Sequence, residues 1–241
     1  MPNDNNQPIE FIHSPVLPRE CIEGLNIREG GVIVDGTAGG GNHSFLITER
    51  QNGKGKLIAI DRDEAAIRAA GKRLERFGEN ALLARDNFVN IKDVCERLGY
   101  AHIDGVLLDL GVSSYQLDTA ERGFSYMNDA PLDMRMDRDS KTTAFDVVNG
   151  YTEAELKKIL FDYGEEKFAP SIARKICKVR ETKPIETTLE LVDVIKSAMP
   201  ESAKVGGHHP AKRSFQAIRI EVNGELAVIE PAIRAAVSML N

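Results

Sequence analysis

Apolar residues recur in the first half of the chain as runs of strand length, at Val32 to Val34, Leu57 to Ile60, Ala81 to Ala84 and Ile103 to Leu110. Each of the first three is followed by a stretch with helical spacing, and this alternation predicts a parallel sheet with helices on both faces. Between the runs, "DEAAIRAAGKRLERFG" sets Ala66, Ala70, Leu74 and Phe77 on one stripe. "NIKDVCERLG" does the same with Ile91, Val94, Cys95 and Leu98, and both stripes end at a glycine suited to close a helix.

After residue 111 the alternation stops. "GVSSYQLDTAERGFSYMNDAPLDMRMDRDS" is polar and contains glycine and proline, which predicts a long irregular excursion. "TEAELKKILFDYG" then opens with Thr152 and Glu155 in capping-box spacing, and "SIARKICKVR" and "TTLELVDVIKSAM" carry helical stripes. The expected division is a helical insertion over 112–205, hung on a sheet domain formed by 1–111 and 206–241, with Pro210 suited to a first helical turn. The last residues form an amphipathic helix where a doubly wound domain ordinarily supplies further strands.

Composition then excludes several classes. The 241 residues are 42% hydrophobic and 28% charged, enough for one large core or a core with an inserted subdomain. No apolar run approaches the roughly eighteen residues of a membrane span, and "MPNDNNQPIE" lacks the regions of a secretory signal, so the expected location is the cytoplasm. Cys21, Cys95 and Cys177 stand far apart with no CxxC pair, which suggests buried hydrophobes rather than disulfides or a metal site. A net charge of −6 does not fit a protein that coats nucleic acid by bulk attraction.

The chemistry concentrates in "VIVDGTAGGGNHSF", residues 32–45. A strand, a glycine turn and a helix start make a ligand cradle, because helix-start amides point outward and glycines allow close approach. A P-loop would need Lys and Ser or Thr where Asn42 and His43 stand, and a dinucleotide turn finds only Gly39 and Gly41, with Ser44 in the third place. S-adenosylmethionine suits the order better: Asp35 ends strand one, Gly39 and Gly41 form the turn, and Asp61 ends strand two, where a carboxylate can accept both ribose hydroxyls. "ARDNF" places Phe88 after strand three for the adenine, and "GVLLDLG" brings Asp109 to the edge of strand four. A cationic sulfonium fits such a ring of acids better than a pyrophosphate does.

Cytosine C5 methylation needs a nucleophilic cysteine after strand four, and the segment after Asp109 has none. An exocyclic amine needs no covalent intermediate, only a splayed-out base and alignment of nitrogen, methyl and sulfur. The loop here is "DLGVSSYQ", so residue chemistry alone leaves the acceptor open. Two basic clusters bear on it. Arg174, Lys175, Lys178, Arg180 and Lys183 read as a solvated face, whereas Lys204, His208, His209, Lys212, Arg213 and Arg219 combine groups that bind phosphates and unstacked RNA bases.

Taken in order, "HSPVL", "VDGTAGGGNHS", "LIAIDRD", "DGVLLDLGVSSYQLDTAERGFSY", "PLDMRMD", "YGEEKFA" and "HPAKRSFQAIRIEVNGEL" resemble the bacterial 16S ribosomal RNA cytosine-N4 methyltransferases of the MraW type, from about His13 onward. The resemblance implies an α/β fold, a Rossmann-like class I methyltransferase with an inserted all-helical domain. It also implies methyl transfer from S-adenosylmethionine to N4 of a decoding-centre cytidine in the small ribosomal subunit, with no metal and no membrane. Carried over by position, Gly41, Asn42 and His43, beside Gly39, would cradle the methionine end of the cofactor. Asp61 would hold the ribose, Phe88 would lie beside the adenine, and Asp109 and Gln116 would complete the pocket near the methyl group. Lys212 and Arg213 would contact RNA, and no catalytic residue is assigned. Two positions depart from the family: Asn42 stands where glycine is usual and Tyr115 where proline is usual. The family pattern also runs on past residue 241 into a further strand. A second hypothesis is therefore a truncated module that binds cofactor and docks RNA without methylating it.

Overall fold

A computed structural model describes residues 15–204 and 209–241. Four parallel strands, β1 (Val32–Asp35), β2 (Lys56–Asp61), β3 (Ala81–Arg85) and β4 (Gly105–Leu107), form one sheet in the order β3-β2-β1-β4. Register follows from the alternation of side chains along the strands. Ile33, Leu57 and Ala59 face one side, where they bury Ile47 of α2 (Asn42–Gln51) and Ala70 and Leu74 of α3 (Glu64–Leu74). Val34, Ile58 and Ile60 face the other, against Ile91, Val94 and Cys95 of α4 (Ile91–Arg97). A preceding helix, α1 (Pro18–Gly24), packs near α2. This is the expected α/β architecture, with helices on both faces of a parallel sheet.

The fourth strand is shorter than its apolar run. Ile103 forms only an isolated bridge with Leu240, and β4 ends at Leu107, so residues 108–110 leave the sheet. Cys95 is buried as expected, whereas Cys21 and Cys177 are only partly covered.

The helical part contains α5 (Ser114–Asp118), α6 (Ala144–Gly150), α7 (Glu153–Asp162), α8 (Ala169–Arg180), α9 (Thr188–Ser197) and the short α10 (Glu201–Lys204). Thr152 and Glu155 form the expected capping box, and Ser113–Gln116, Thr143–Asp146 and Thr187–Glu190 form three more. Each satisfies orphan amides at a helix start, which lets short helices stand where the chain has little periodicity.

The return to the sheet differs from the expected residue 206. Helix α11 (Lys212–Asn223) buries Phe215, Ala217, Ile218 and Val222 in the same core as Leu156, Ile172 and Leu191, so it packs as a member of the helical part. Only α12 (Ile229–Val237) returns to the sheet, placing Ala236 and Met239 against the α4 face. The stripe of α11 looks alike in either setting, because periodicity marks a buried face without naming what buries it. Pro210 lies just ahead of α11 rather than inside its first turn. Among the described residues no helix is long and apolar enough to cross a membrane.

Candidate functional site

The site lies at the C-terminal ends of the strands, where open α/β sheets leave a crevice. β1 ends in Asp35, which points inward rather than toward a ligand. Its carboxylate accepts from the Ser44 hydroxyl at 2.6 Å and from the Thr37 amide at 3.1 Å, and thus ties the glycine turn to α2. Burial pushes its carboxyl up to about 6, against the opposing pull of those hydrogen bonds and of the nearby His43 ring. The first acid of the expected ring is therefore a strut beneath the turn.

Gly41 holds the left-handed conformation before α2, with φ +80°, and a Cβ on it would lie 3.1 Å from the Ala70 Cα. Glycine is needed there both for the angle and for the approach of α3. Asn42 is then the first residue of α2 and is not among the residues with positive φ, so the bulkier side chain adds no backbone strain. Gly40 opens outward, with nothing within 4 Å of a built Cβ. No side chain caps the start of α2.

Asp61 closes β2 against this turn. Its Oδ2 accepts from the Gly39 amide at 2.8 Å and its Oδ1 from the Asp63 amide at 2.9 Å. Burial pushes its carboxyl upward, opposed by those two amides. Each oxygen keeps acceptor capacity, as a ribose contact requires. Phe88 opens a single 3-10 turn after β3, and its Cβ would lie 3.1 Å from a Cβ built on Gly36. The expected adenine neighbour therefore abuts the tip of β1.

Asp109 follows β4, its amide donating to the Thr37 hydroxyl at 2.7 Å. Its carboxylate is 3.8 Å from Nδ1 of His43, whose Nε2 lies 2.9 Å from the Val16 carbonyl. Gln116 is buried, and its amide has partners at both ends: Oε1 accepts from the Ser113 amide at 3.0 Å and Nε2 donates to Asp63 at 3.0 Å. Tyr115, next to it, is exposed on the five-residue helix α5.

Sequence reasoning missed the partner of that glutamine. Asp63 caps α3 through the Ala65 amide and also pairs with Nη1 of Arg122 at 2.8 Å, both side chains fully buried. Arg122 in turn donates to the carbonyls of Arg135 and Met136. The pair links the turn after β2 to the excursion that follows Asp109. Asp63 is legible in sequence as a helix cap, but nothing local announces an arginine 59 positions away (122 minus 63).

A cavity of about 550 Å³ opens beside this link, over the ends of β2 and β3, with Arg62, Asp86, Asn87 and Asp137 among its walls. Arg85 bridges its rim to Asp137 at 3.1 Å and Asp139 at 2.5 Å. Burial alone would raise the Asp86 carboxyl, but hydrogen bonds from Asn90, Arg97 and the Asn87 amide outweigh it and hold the group low. Among the described residues no group of three or more acids, histidines or cysteines could hold a metal ion.

The basic clusters separate. In the first, Arg180 donates to the carbonyls of Val148 and Tyr151 and Lys183 pairs with Glu190 at 2.8 Å, so both serve the fold. In the second, Arg219 is held by Glu225 at 2.8 Å, and His209 stacks on Tyr126 with ring centroids 4.5 Å apart. Lys212 and Arg213 remain exposed, the latter donating to the Glu165 carbonyl at 3.0 Å. His208, the side chain of Lys204 and the His13 end of "HSPVL" lie outside the described residues.

A family model described as the MraW methylase family matches residues 10–241. The chain belongs to the MraW methylase family. Within it, the chain is 55% identical to ribosomal RNA small subunit methyltransferase H of Clostridioides difficile over 233 residues, 97% of this chain and 75% of that protein. Proteins of the same name in Finegoldia magna and Clostridium botulinum are 51% and 54% identical, each with 97% of this chain and 75% of the relative covered. In this MraW methylase the glycine turn carries Asp61 on the Gly39 amide and Asp109 on the Thr37 hydroxyl.

Proposed function

We propose that this chain methylates ribosomal RNA of the small subunit, using S-adenosylmethionine to transfer a methyl group to the exocyclic N4 of a decoding-centre cytidine. Family membership and relatives named for small-subunit rRNA methylation support the reaction class. The observation that carries the cofactor is the glycine turn itself, open at Gly40, with Asp61 holding the Gly39 amide and the Asp109 amide bonded to the Thr37 hydroxyl. Residues present fit the group: Asp61 has acceptor capacity for ribose hydroxyls, the uncapped amides at the start of α2, beside Asn42 and His43, suit a carboxylate, and acids suit a sulfonium. Gly39 and Gly41 shape the turn, Phe88 borders the adenine side, and Gln116 reaches the same wall through Asp63. The cofactor supplies an activated methyl group. The chain supplies alignment and the exclusion of water.

An exocyclic amine is favoured over ring carbon C5 by the state of the nearby thiol. Burial pushes the Cys21 thiol up, and the charges of Asp109, Glu20 and Asp35 push it further, so it is poorly suited to be a thiolate nucleophile. RNA would dock through Lys212 and Arg213, with the helical part serving as the RNA-side lobe.

The test is transfer of radiolabelled methyl to small subunits from a strain lacking the modification, followed by nucleoside analysis. N4-methylcytidine is the expected product. Cofactor binding by calorimetry without transfer would support the inactive docking module instead, and a methyl group on any other atom would overturn the acceptor assignment.

A further inference from the structure

His43 is only 6% exposed, and its Nε2 lies 2.9 Å from the Val16 carbonyl oxygen. A carbonyl can only accept, so Nε2 carries the hydrogen. In the neutral ring Nδ1 is then a bare lone pair, and it faces the Asp109 carboxylate at 3.8 Å. Two acceptors set face to face repel, and a single added proton turns the contact attractive. The other titratable groups around the pair are buried Asp35, the Cys21 thiol and Glu20.

We infer that Asp109 and His43 share one proton-binding slot, and that this slot receives the proton released when the acceptor amine is methylated. The inference rests on the amine reading above. In that reaction the nitrogen–carbon bond forms as the sulfur–carbon bond breaks, the electron pair of the broken bond stays on sulfur, and the nitrogen sheds one proton. Asp109, half-exposed at the edge of β4, accepts the N–H hydrogen bond of the amine and then its proton. The 3.8 Å gap exceeds a direct hydrogen bond, so Asp109 rotates toward the ring to pass the proton to Nδ1. The ring later yields it to water, and the carboxylate is restored. Asp109 is on this view the catalytic residue, with His43 the positioning and relay group behind it.

Two measurements test it. In the full chain with nitrogen-15 in its histidine rings, His43 is assigned by the signal lost in His43→Gln. At one pH near neutrality, a larger fraction of that ring is protonated on both nitrogens in the wild type than in Asp109→Asn. Equal fractions would overturn the slot, whatever the activity. In single-turnover methyl transfer to unmodified small subunits at saturating cofactor, His43→Asn is expected to slow the reaction about a hundredfold, the low end for lost proton transfer, and to flatten its pH profile. Exposed His102→Asn serves as the unaffected control. A His43→Asn profile parallel to the wild type would overturn the relay. If the nucleoside product is not N4-methylcytidine, the functional reading fails while the ring spectra still decide the slot.

Discussion

Asp35 offers the sharpest stability experiment in the fold. Its carboxyl is fully buried and pushed from its ordinary 3.8 up to about 6, chiefly by burial, with Ser44 and Thr37 opposing. The unfolded chain thus loses this proton near pH 4 and the folded chain near pH 6. Below both values the group is neutral in both states and favours neither. As pH rises between them the unfolded state ionises first, so folding loses stability until the folded carboxyl also ionises. A difference of about two units at roughly 1.36 kcal/mol each gives a loss of about 3 kcal/mol by neutral pH. Asp35→Asn keeps an oxygen for the Thr37 amide and an NH2 that can donate to the Ser44 oxygen, and it removes the charge. Urea unfolding of both proteins from pH 4.5 to 8 is the assay. The variant is expected to gain on the wild type as pH rises, by about 2 kcal/mol across that range, since roughly 1 kcal/mol of the loss already lies below pH 4.5. A stability difference that stays constant with pH would refute the reasoning, because only a titrating group can make it vary.

Other perturbations address the site and its links. Asp61→Asn is expected to weaken S-adenosylmethionine binding by roughly 1.5–3 kcal/mol by calorimetry, the scale of hydrogen bonds to a charged group; unchanged affinity would remove Asp61 from the ribose contact. Arg122→Ala leaves Asp63 charged and buried, so urea unfolding should show a loss of about 3–5 kcal/mol, and a loss under 1 kcal/mol would contradict the buried pair. Replacing Lys212 and Arg213 together by alanine should flatten the salt dependence of RNA binding by about one unit of slope per lost phosphate contact, with cofactor affinity unchanged. Gly36→Ala would place a Cβ 2.5 Å from Leu108 Cδ2 and 3.1 Å from Phe88 Cβ, so cofactor affinity and thermal stability should fall together.

The sheet and its two helical layers were legible because both faces of each strand are buried, and such strands write continuous apolar runs between helical stripes. The Thr152 box was legible because its two partners are three residues apart. What escaped was long-range. The stripe of α11 is unambiguous as a stripe, yet nothing within it distinguishes a helical core from a sheet, and the expected boundary at residue 206 followed from that ambiguity. Asp35 and Asp61 look alike as acids at strand ends. One points beneath its turn to Ser44 and the other toward the crevice edge, a difference set by where α2 begins rather than by residue type.

The same distinction explains why Gln116 cannot be understood from its own loop. Its carboxamide is oriented from one side by Ser113, three residues earlier, and from the other by Asp63, which belongs to the turn that carries Asp61. Arg122 neutralises Asp63 while binding carbonyls of the excursion, so one buried carboxylate fixes both the turn after β2 and the excursion after β4. A buried ion pair adds little to stability compared with apolar packing, but breaking either half costs several kcal/mol. That asymmetry gives the pair a geometric role: the turn after β2 and the excursion after β4 cannot shift independently without exposing an unpaired charge to the interior. Alignment of a methyl donor with a base demands such a constraint, since a displacement of about 1 Å between the two can lower the rate about a hundredfold.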